Sequence, residues 1–238
     1  MDLFYATDIQ PPYLYLHHEE AIHCLKSLRK TINEPIYATD GMGTAYECII
    51  TAIDKRRNVV QAYIQKQSKH VLPFQVGLCV APTKSIDRME WLLEKAVELG
   101  ISQVQWVITS HSERKTISVE RMRRIAVAAM KQSLRYFLPT IYEIIPFQEW
   151  IDKNPHLSGV IGYCGNEIPK QFLYSVQKPK DADTFWICIG PEGDFTQNEV
   201  KKAIEKGLIA ISLGNHRLRT ETAALTVLSY YYILNLQN

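Results

Sequence analysis

"GNHRLRTETAA", Gly214 to Ala224, follows directly on the apolar run "LIAISL" from Leu208 to Leu213. A strand-like run stops at a glycine, two arginines follow, and a helix then opens on residues too small to fill a core. Thr220, Thr222, Ala223 and Ala224 give that helix a start with little side-chain bulk. Such a start beside a glycine loop leaves room for a bound molecule or a closely passing chain. Its first backbone N–H groups have no intrahelical acceptor and are available to a ligand.

Outward from this point the chain alternates between two periods. "FQVGLCVA", "QVQWVI", "TIYEII", "SGVIGYC", "TFWICIG" and "LIAISLG" read as strands. Between them lie helical patterns. "RMEWLLEKAVEL" repeats Met89, Leu92, Leu93, Ala96 and Val97 at helical spacing, with Ser85 and Asp87 as candidate N-caps and Gly100 as its stop. "VERMRRIAVAAMKQSLRYF" is a second helix, expected to run until Pro139; others cover Phe147 to Asp152, Gln197 to Lys206 and Thr220 to about Leu236. Strands alternating with helices predict an α/β fold built on a parallel sheet. Residues 1–72 differ. There "YECIITAI" and "NVVQAYIQ", separated from their surroundings by "TDGMGT" and "DKRRN", predict a small β-rich domain with one helix around "HHEEAIHCLKSLRK". The polar link Lys66 to Pro73 marks the expected boundary with residues 73–238.

Bulk composition narrows the function classes. The 238 residues are 46% hydrophobic and 22% charged, with a formal net charge of +2, so any nucleic-acid surface must come from placement of charge rather than its total. The five cysteines (Cys24, Cys48, Cys79, Cys164, Cys188) include no C-x-x-C pair and mostly sit in apolar runs. They read as buried thiols in a reducing compartment. The N-terminal stretch has neither the basic start nor the apolar stretch of a signal peptide, and no apolar run reaches membrane-spanning length. A cytoplasmic protein without a membrane segment is expected. The seven histidines form no metal-ligand spacing, His17 and His18 would point apart, and no metal is expected.

In a parallel sheet, ligands bind where strands end. Three strand ends carry glycine: "YCGN" (Tyr163 to Asn166), "GPEGDF" (Gly190 to Phe195) and "GNHRLR" (Gly214 to Arg219). "GPEG" is a good β-turn by itself, and Thr196 with Glu199 makes a T-x-x-E capping box after it. Phosphate-loop fingerprints are absent, which disfavours a nucleotide-dependent enzyme. The helix from Val119 sorts Met122, Ile125, Ala126, Ala129 and Met130 to one side and Arg121, Arg124, Lys131 and Arg135 to another. A solvated basic face is the usual meaning of such a stripe; a track for a phosphate backbone is the sharper one. Cys164 reads as core rather than catalyst.

Together, "IGPEGDFTQNEV" and "LGNHRLRTETAALTVL" resemble the signature of the RsmE family, S-adenosylmethionine-dependent methyltransferases acting on N3 of a uridine in 16S rRNA. "RMEWLLEKAVELGI" and Ser112 to Arg114 resemble upstream parts of the same family, and "HCLKSLRK" with "DGMGTAYEC" resemble its PUA-like domain. The middle helix departs from the pattern, with Lys131 where the family has an acid.

The resemblance implies a C-terminal SPOUT domain with a deep trefoil knot, a feature nearly absent from other folds, and a PUA-like RNA-binding domain over residues 1–72. It implies S-adenosyl-L-methionine as cofactor, with Gly190, Glu192, Gly193, Leu213, Gly214, Leu218, Thr220, Thr222 and Ala223 around it. It implies 16S rRNA or the small ribosomal subunit as partner, held by Arg29, Arg121, Arg124, Arg135 and Arg217, and a homodimer; Tyr230, Tyr231 and Tyr232 of the last helix read either as part of its interface or as ordinary core and surface. Arg219, with Arg217 next, is expected to stabilise the uracil anion, and Glu221 or Glu192 to orient it or accept the proton. The rival readings are a SPOUT enzyme acting on another RNA or base atom, and a non-enzymatic RNA-binding assembly factor.

Overall fold

The computed structural model describes residues 2–72, 74–176 and 184–236. The expected boundary residue Pro73 lies outside these. The chain forms two compact units, Met1–Leu72 with Val127–Leu138, and Pro73–Ala126 with Pro139–Asn238.

The first unit is a six-stranded sheet. Its strands are β1 (Leu3–Tyr5), β2 (Asp8–Gln10), β3 (Tyr13–His17), β4 (Pro35–Thr39), β5 (Thr44–Asp54) and β6 (Val59–Lys69), in the order β1-β4-β5-β6-β3-β2. All pairs are antiparallel except β1 with β4. The sequence reading found β5 and β6 but passed over the strands before the helix. β3 carries their signal in five residues, "YLYLH", whose Leu14 and Leu16 are buried while their neighbours are partly exposed. The expected helix is α1 (His18–Ile22), which widens into a π-helical turn over His23–Ser27. His17 ends β3 and His18 has φ +45°, so their rings sit 6.2 Å apart rather than on opposite sides as expected. Phe4, Leu14, Leu16, Ile36, Ile50 and Val60 form the centre of this unit's core.

Residues 127–138 also belong to this unit, which the sequence division did not foresee. The reason is local hydrogen bonding. Gly43 N–H donates to Tyr136 O at 2.8 Å, Leu138 N–H donates to Gly41 O at 2.9 Å, and Met42 bridges Phe137.

The second unit is a seven-stranded, wholly parallel sheet. Its elements are β7 (Val76–Val80), α2 (Ile86–Glu98), β8 (Gln103–Ile108), α3 (Val119–Gln132, whose last residues count with the first unit), β9 (Thr140–Pro146), α4 (Phe147–Lys153), β10 (Ser158–Gly162), β11 (Gln171–Phe172), β12 (Phe185–Ile189), α5 (Gln197–Glu205), β13 (Leu208–Ser212) and α6 (Thr220–Asn235). The strand order is β11-β13-β10-β12-β7-β8-β9. β7 and β12 are buried at every residue, as strands covered on both faces must be. Alternation along β12 separates the two layers. Trp186 and Cys188 join a core with Phe147, Trp150, Phe195 and Val200 from α4, α5 and the loop before α5. Phe185, one residue out of phase, meets Tyr231 of α6 at 4.4 Å between ring centroids. Tyr231 is therefore core, buried completely, and its two tyrosine neighbours are only partly so.

Two boundaries differ from expectation. α3 ends at Gln132 and not at Pro139, because Leu134 takes φ +54° and Arg135 N–H reaches back to Met130 O, a Schellman-type stop with leucine in the usual glycine place. Arg135 thus lies past the helix and not on its basic face. Ser85 is the N-cap of α2, but its side chain makes no cap hydrogen bond.

Among the described residues no helix is long and apolar enough to cross a membrane.

The approach of β10 to β12 requires a glycine. Gly159 has φ +148°, and a Cβ there would lie 1.9 Å from Trp186 O. Gly159→Ala should lower the unfolding free energy by about 3 kcal/mol or more, through forced backbone displacement. A fall in the urea midpoint measures it; an unchanged midpoint would show that the strands part without cost.

Candidate functional site

Because β7, β12, β10 and β13 are parallel neighbours, their C-terminal ends emerge along one edge of the sheet. The three glycine-bearing segments singled out in the sequence are therefore adjacent, and hydrogen bonds join them. Cys164 N–H, after β10, donates to Asp194 Oδ2 at 2.8 Å, and Phe195 N–H donates to Asp194 Oδ1 at 2.8 Å. One carboxylate thus joins the loop after β10 to the loop after β12. Tyr163 N–H donates to Ile211 O at 3.3 Å, linking β10 to β13. The buried Thr220 hydroxyl donates to Gly190 O at 3.0 Å, fixing the start of α6 to the end of β12.

Neighbouring loops brace this arrangement. The capping box of α5 forms as expected, with Glu199 N–H on the Thr196 hydroxyl and Thr196 N–H on Glu199 Oε2. The other oxygen of Glu199 accepts from Ser110 N–H at 2.8 Å, which ties in the loop after β8. Arg114 donates to Thr83 O at 3.0 Å and to Lys84 O at 2.6 Å, shaping the loop after β7. Lys84 N–H donates to Glu192 Oε1 at 3.3 Å. Burial pushes the Tyr163 phenol up to about 12, and its O–H donates to Glu167 Oε2 at 2.9 Å.

A cavity of about 630 Å³ opens at the start of α6. The loop and helix contribute Arg217, Leu218, Arg219, Glu221 and Thr222 to it. Asp87, Arg88 and Trp91 of α2 form the facing wall. Arg219 and Arg217 are exposed, whereas Glu221 is buried. Glu221 Oε1 lies 3.7 Å from Arg88 Nε, an ion pair too long for a hydrogen bond, and its Oε2 has no hydrogen-bond partner.

Of the other residues expected here, Gly190, Thr220 and Ala223 are buried, Leu213 is half-buried, and Glu192, Gly193, Gly214, Leu218 and Thr222 are exposed. Glu221, not Glu192, shares the cavity with Arg219. The basic residues do not form one free stripe. Arg121 is paired with Glu90 on α2 at 2.9 Å, Arg124 lies 4.0 Å from Glu120, and Lys131 is paired with Glu20 inside the first unit. Arg29, with φ +55°, is exposed.

Sequence reasoning missed Asp194, Arg88 and Trp91. Asp194 had a readable signal, an aspartate directly after a P-x-G turn, where a left-handed residue (φ +61°) is needed. For Arg88 and Trp91 the helical pattern offered only an exposed face. Cys164 corrects the reading of it as core. It is exposed, unlike the other four cysteines, because it lies two residues past the end of β10, in the loop.

A family model described as the RNA methyltransferase domain matches residues 70–232, and one described as the RNA methyltransferase PUA domain matches residues 19–62. The chain is 28% identical to the ribosomal RNA small subunit methyltransferase E of Aquifex aeolicus, over 96% of this chain and 98% of the relative. It is 27% identical to that of Rickettsia conorii, over 92% and 87%. A crystal structure of a probable rRNA-methyltransferase from Porphyromonas gingivalis is 36% identical, covers 98% of both chains and superposes with a TM-score of 0.84. The ribosomal RNA small subunit methyltransferase E of Neisseria gonorrhoeae, solved bound to S-adenosyl methionine, is 29% identical over 98% of both chains, with a TM-score of 0.85.

The exposed thiol reports on the Asp194 link. Partial desolvation and, next, the Asp194 carboxylate raise the Cys164 thiol above its usual range, which lowers its thiolate fraction at pH 8. Iodoacetamide should therefore label one cysteine of five in the native protein, more slowly than free cysteine, and Asp194→Asn should speed the reaction several-fold. Mass spectrometry of the labelled peptides measures both. Labelling faster than free cysteine would contradict this account.

Proposed function

We propose, from the premise that this chain belongs to the RNA methyltransferase domain family, that it transfers the methyl group of S-adenosyl-L-methionine to N3 of a uridine in 16S rRNA of the small ribosomal subunit. The relatives named ribosomal RNA small subunit methyltransferase E support this over nearly the full chain. The observation that carries the site assignment is the joining of three glycine-bearing strand ends through Asp194 and Thr220.

The cofactor fits what these residues offer. A Cβ on Gly214 would meet nothing within 4 Å, so open space stands over that loop. A Cβ on Gly193 would lie 2.8 Å from His111, so that turn has no room of its own for a side chain. Leu213 and Leu218 offer apolar cover for an adenine ring, and Glu192 a carboxylate for a ribose hydroxyl or an ammonium group. The N–H groups that open α6 at Thr220, Glu221 and Thr222 are donors without intrahelical acceptors. Gly190, Glu192, Gly193, Leu213, Gly214, Leu218, Thr220, Thr222 and Ala223 would hold it. When bound, the cofactor supplies a methyl group already attached to a good leaving group.

The protein's own task is to prepare the nucleophile. Uracil N3 must lose its proton, and the resulting charge spreads onto the two carbonyl oxygens. Arg219, exposed at the cavity, places a guanidinium against those oxygens and lowers the N3 pKa. Glu221, a carboxylate at the same cavity two residues from Arg219, serves as proton acceptor. Arg88 balances its charge and so leaves Arg219 free for the substrate. Arg29, Arg121, Arg124, Arg135 and Arg217 contribute phosphate contacts, those already ion-paired only by exchanging partners.

In this reading residues 1–72 are the PUA-like RNA-binding domain and residues 73–238 the SPOUT domain, acting as a homodimer in the cytoplasm. A trefoil knot belongs to the same reading. α6 starts against Gly190 and packs on β12 and α2, although β13, which feeds it, lies beyond β10.

Arg219→Ala should lower kcat for rRNA methylation by about 10²–10³-fold, the scale for removing one donor to a developing anion. Calorimetry should show unchanged binding of S-adenosylhomocysteine. Full activity in this variant would refute the role. Ribosomal RNA from a strain lacking the protein should lack one 3-methyluridine by mass spectrometry, and its persistence would refute the substrate.

A further inference from the structure

The cavity at the start of α6 has a wall on α2 in which the chemistry above gives a task to Arg88 alone. Asp87 and Trp91, four residues apart, share one face of α2 and line the cavity with Arg88 between them in sequence. Trp91 is 47% exposed, whereas Trp106, Trp150 and Trp186 are all below 9%. The neighbours of Trp91 at the cavity are mostly charged, so the indole gains little from them as an apolar side chain. What it offers there is a flat aromatic face. Glu221 supplies a second observation. Its side chain is only 9% exposed and its Oε2 has no donor. A desolvated carboxylate oxygen without a partner is costly. It is kept here at the border of a cavity whose other polar lining is three arginines, Arg88, Arg217 and Arg219, with Thr222 and one further carboxylate, Asp87.

Flat face, cations and an unpaired acceptor match one ligand class. A pyrimidine nucleotide has a π-surface to stack, carbonyl oxygens and a phosphate for guanidinium groups, and an N–H to donate. A base acted on at an in-ring nitrogen must leave its stack, and enzymes that extrude a base cover its face with aromatic side chains.

We propose that Trp91 is the stacking platform for the extruded target uracil, so that the α2 face bearing Asp87, Arg88 and Trp91 is the substrate-base wall of the site. This rests on the methyltransferase reading above and adds to it a residue that binds the substrate.

The burial of the other three tryptophans makes the test direct. Octauridylate titrated into the full-length protein should quench the exposed tryptophan fluorescence, and Trp91→Phe should abolish that quench while keeping octauridylate affinity within about 3-fold, measured by anisotropy of a labelled oligonucleotide. Trp91→Ala should weaken that affinity about 10-fold or more, the scale of one lost base–aromatic stack, and raise KM for rRNA. Unchanged heat of S-adenosylhomocysteine binding in both variants establishes that the fold and cofactor site are intact. If the wild type methylates rRNA but Trp91→Ala keeps full octauridylate affinity, the assignment of Trp91 is overturned while the enzyme reading stands. If the wild type neither binds S-adenosylhomocysteine nor methylates rRNA, both fall. If Trp91→Ala changes the particle mass by light scattering with octauridylate affinity kept, the indole belongs to a contact between copies of the chain, and the proposal is overturned.

Discussion

β10 and β12 approach so closely at Gly159 that the Trp186 carbonyl occupies the space any side chain would need. Much of the second unit follows from that contact. β12 is held between β7 and β10, so loops that leave distant parts of the chain come out side by side. The same contact turns Trp186 toward α4 and Phe185 toward α6, because neighbouring residues on a strand face opposite ways. One face then fills with the Phe147, Trp150 and Phe195 rings, and the other closes on Tyr231.

On this frame the site is assembled from backbone as much as from side chains. Asp194 spends both carboxylate oxygens on amides of two loops, and the Thr220 hydroxyl is spent on Gly190 O. These groups position; they are not free to react. The groups left over at the cavity include the arginines at 217 and 219, the half-paired Glu221, the Asp87 carboxylate and the indole of Trp91. This sorting separates residues that shape the loops from residues whose polar or aromatic groups stay open to the cavity. Glu192 shares in the loop shaping through one oxygen, which accepts from Lys84 N–H, and it does not line the cavity with Arg219.

The parallel α/β sheet was legible in the sequence because its strands are apolar runs of strand length with glycine at their ends. The three glycine-bearing strand ends were legible for the same reason, and so was the α5 capping box, a signal confined to four residues. The first unit was less so. β1 to β4 are three to five residues long, and only the alternation of β3 rises above its surroundings. The end of α3 was misread because a leucine took the left-handed position usually marked by glycine. Cys164 was misread because the apolar run before it belongs to β10 while it lies two residues beyond the strand, in the loop.

By itself the sequence determined the periods of the elements, the glycine turns that end them and the small-residue start of α6. These properties are local: each depends on residues within a few positions of one another. Only the tertiary structure decided which carboxylate stands with Arg219, which arginines are already paired, that residues 127–138 join the first unit, and that Trp91 faces a cavity. Those outcomes depend on strand order and on contacts between residues far apart in the chain, such as Arg88 with Glu221. No pattern within either segment encodes such a contact, since each helix shows only that it has a polar face and not what that face meets.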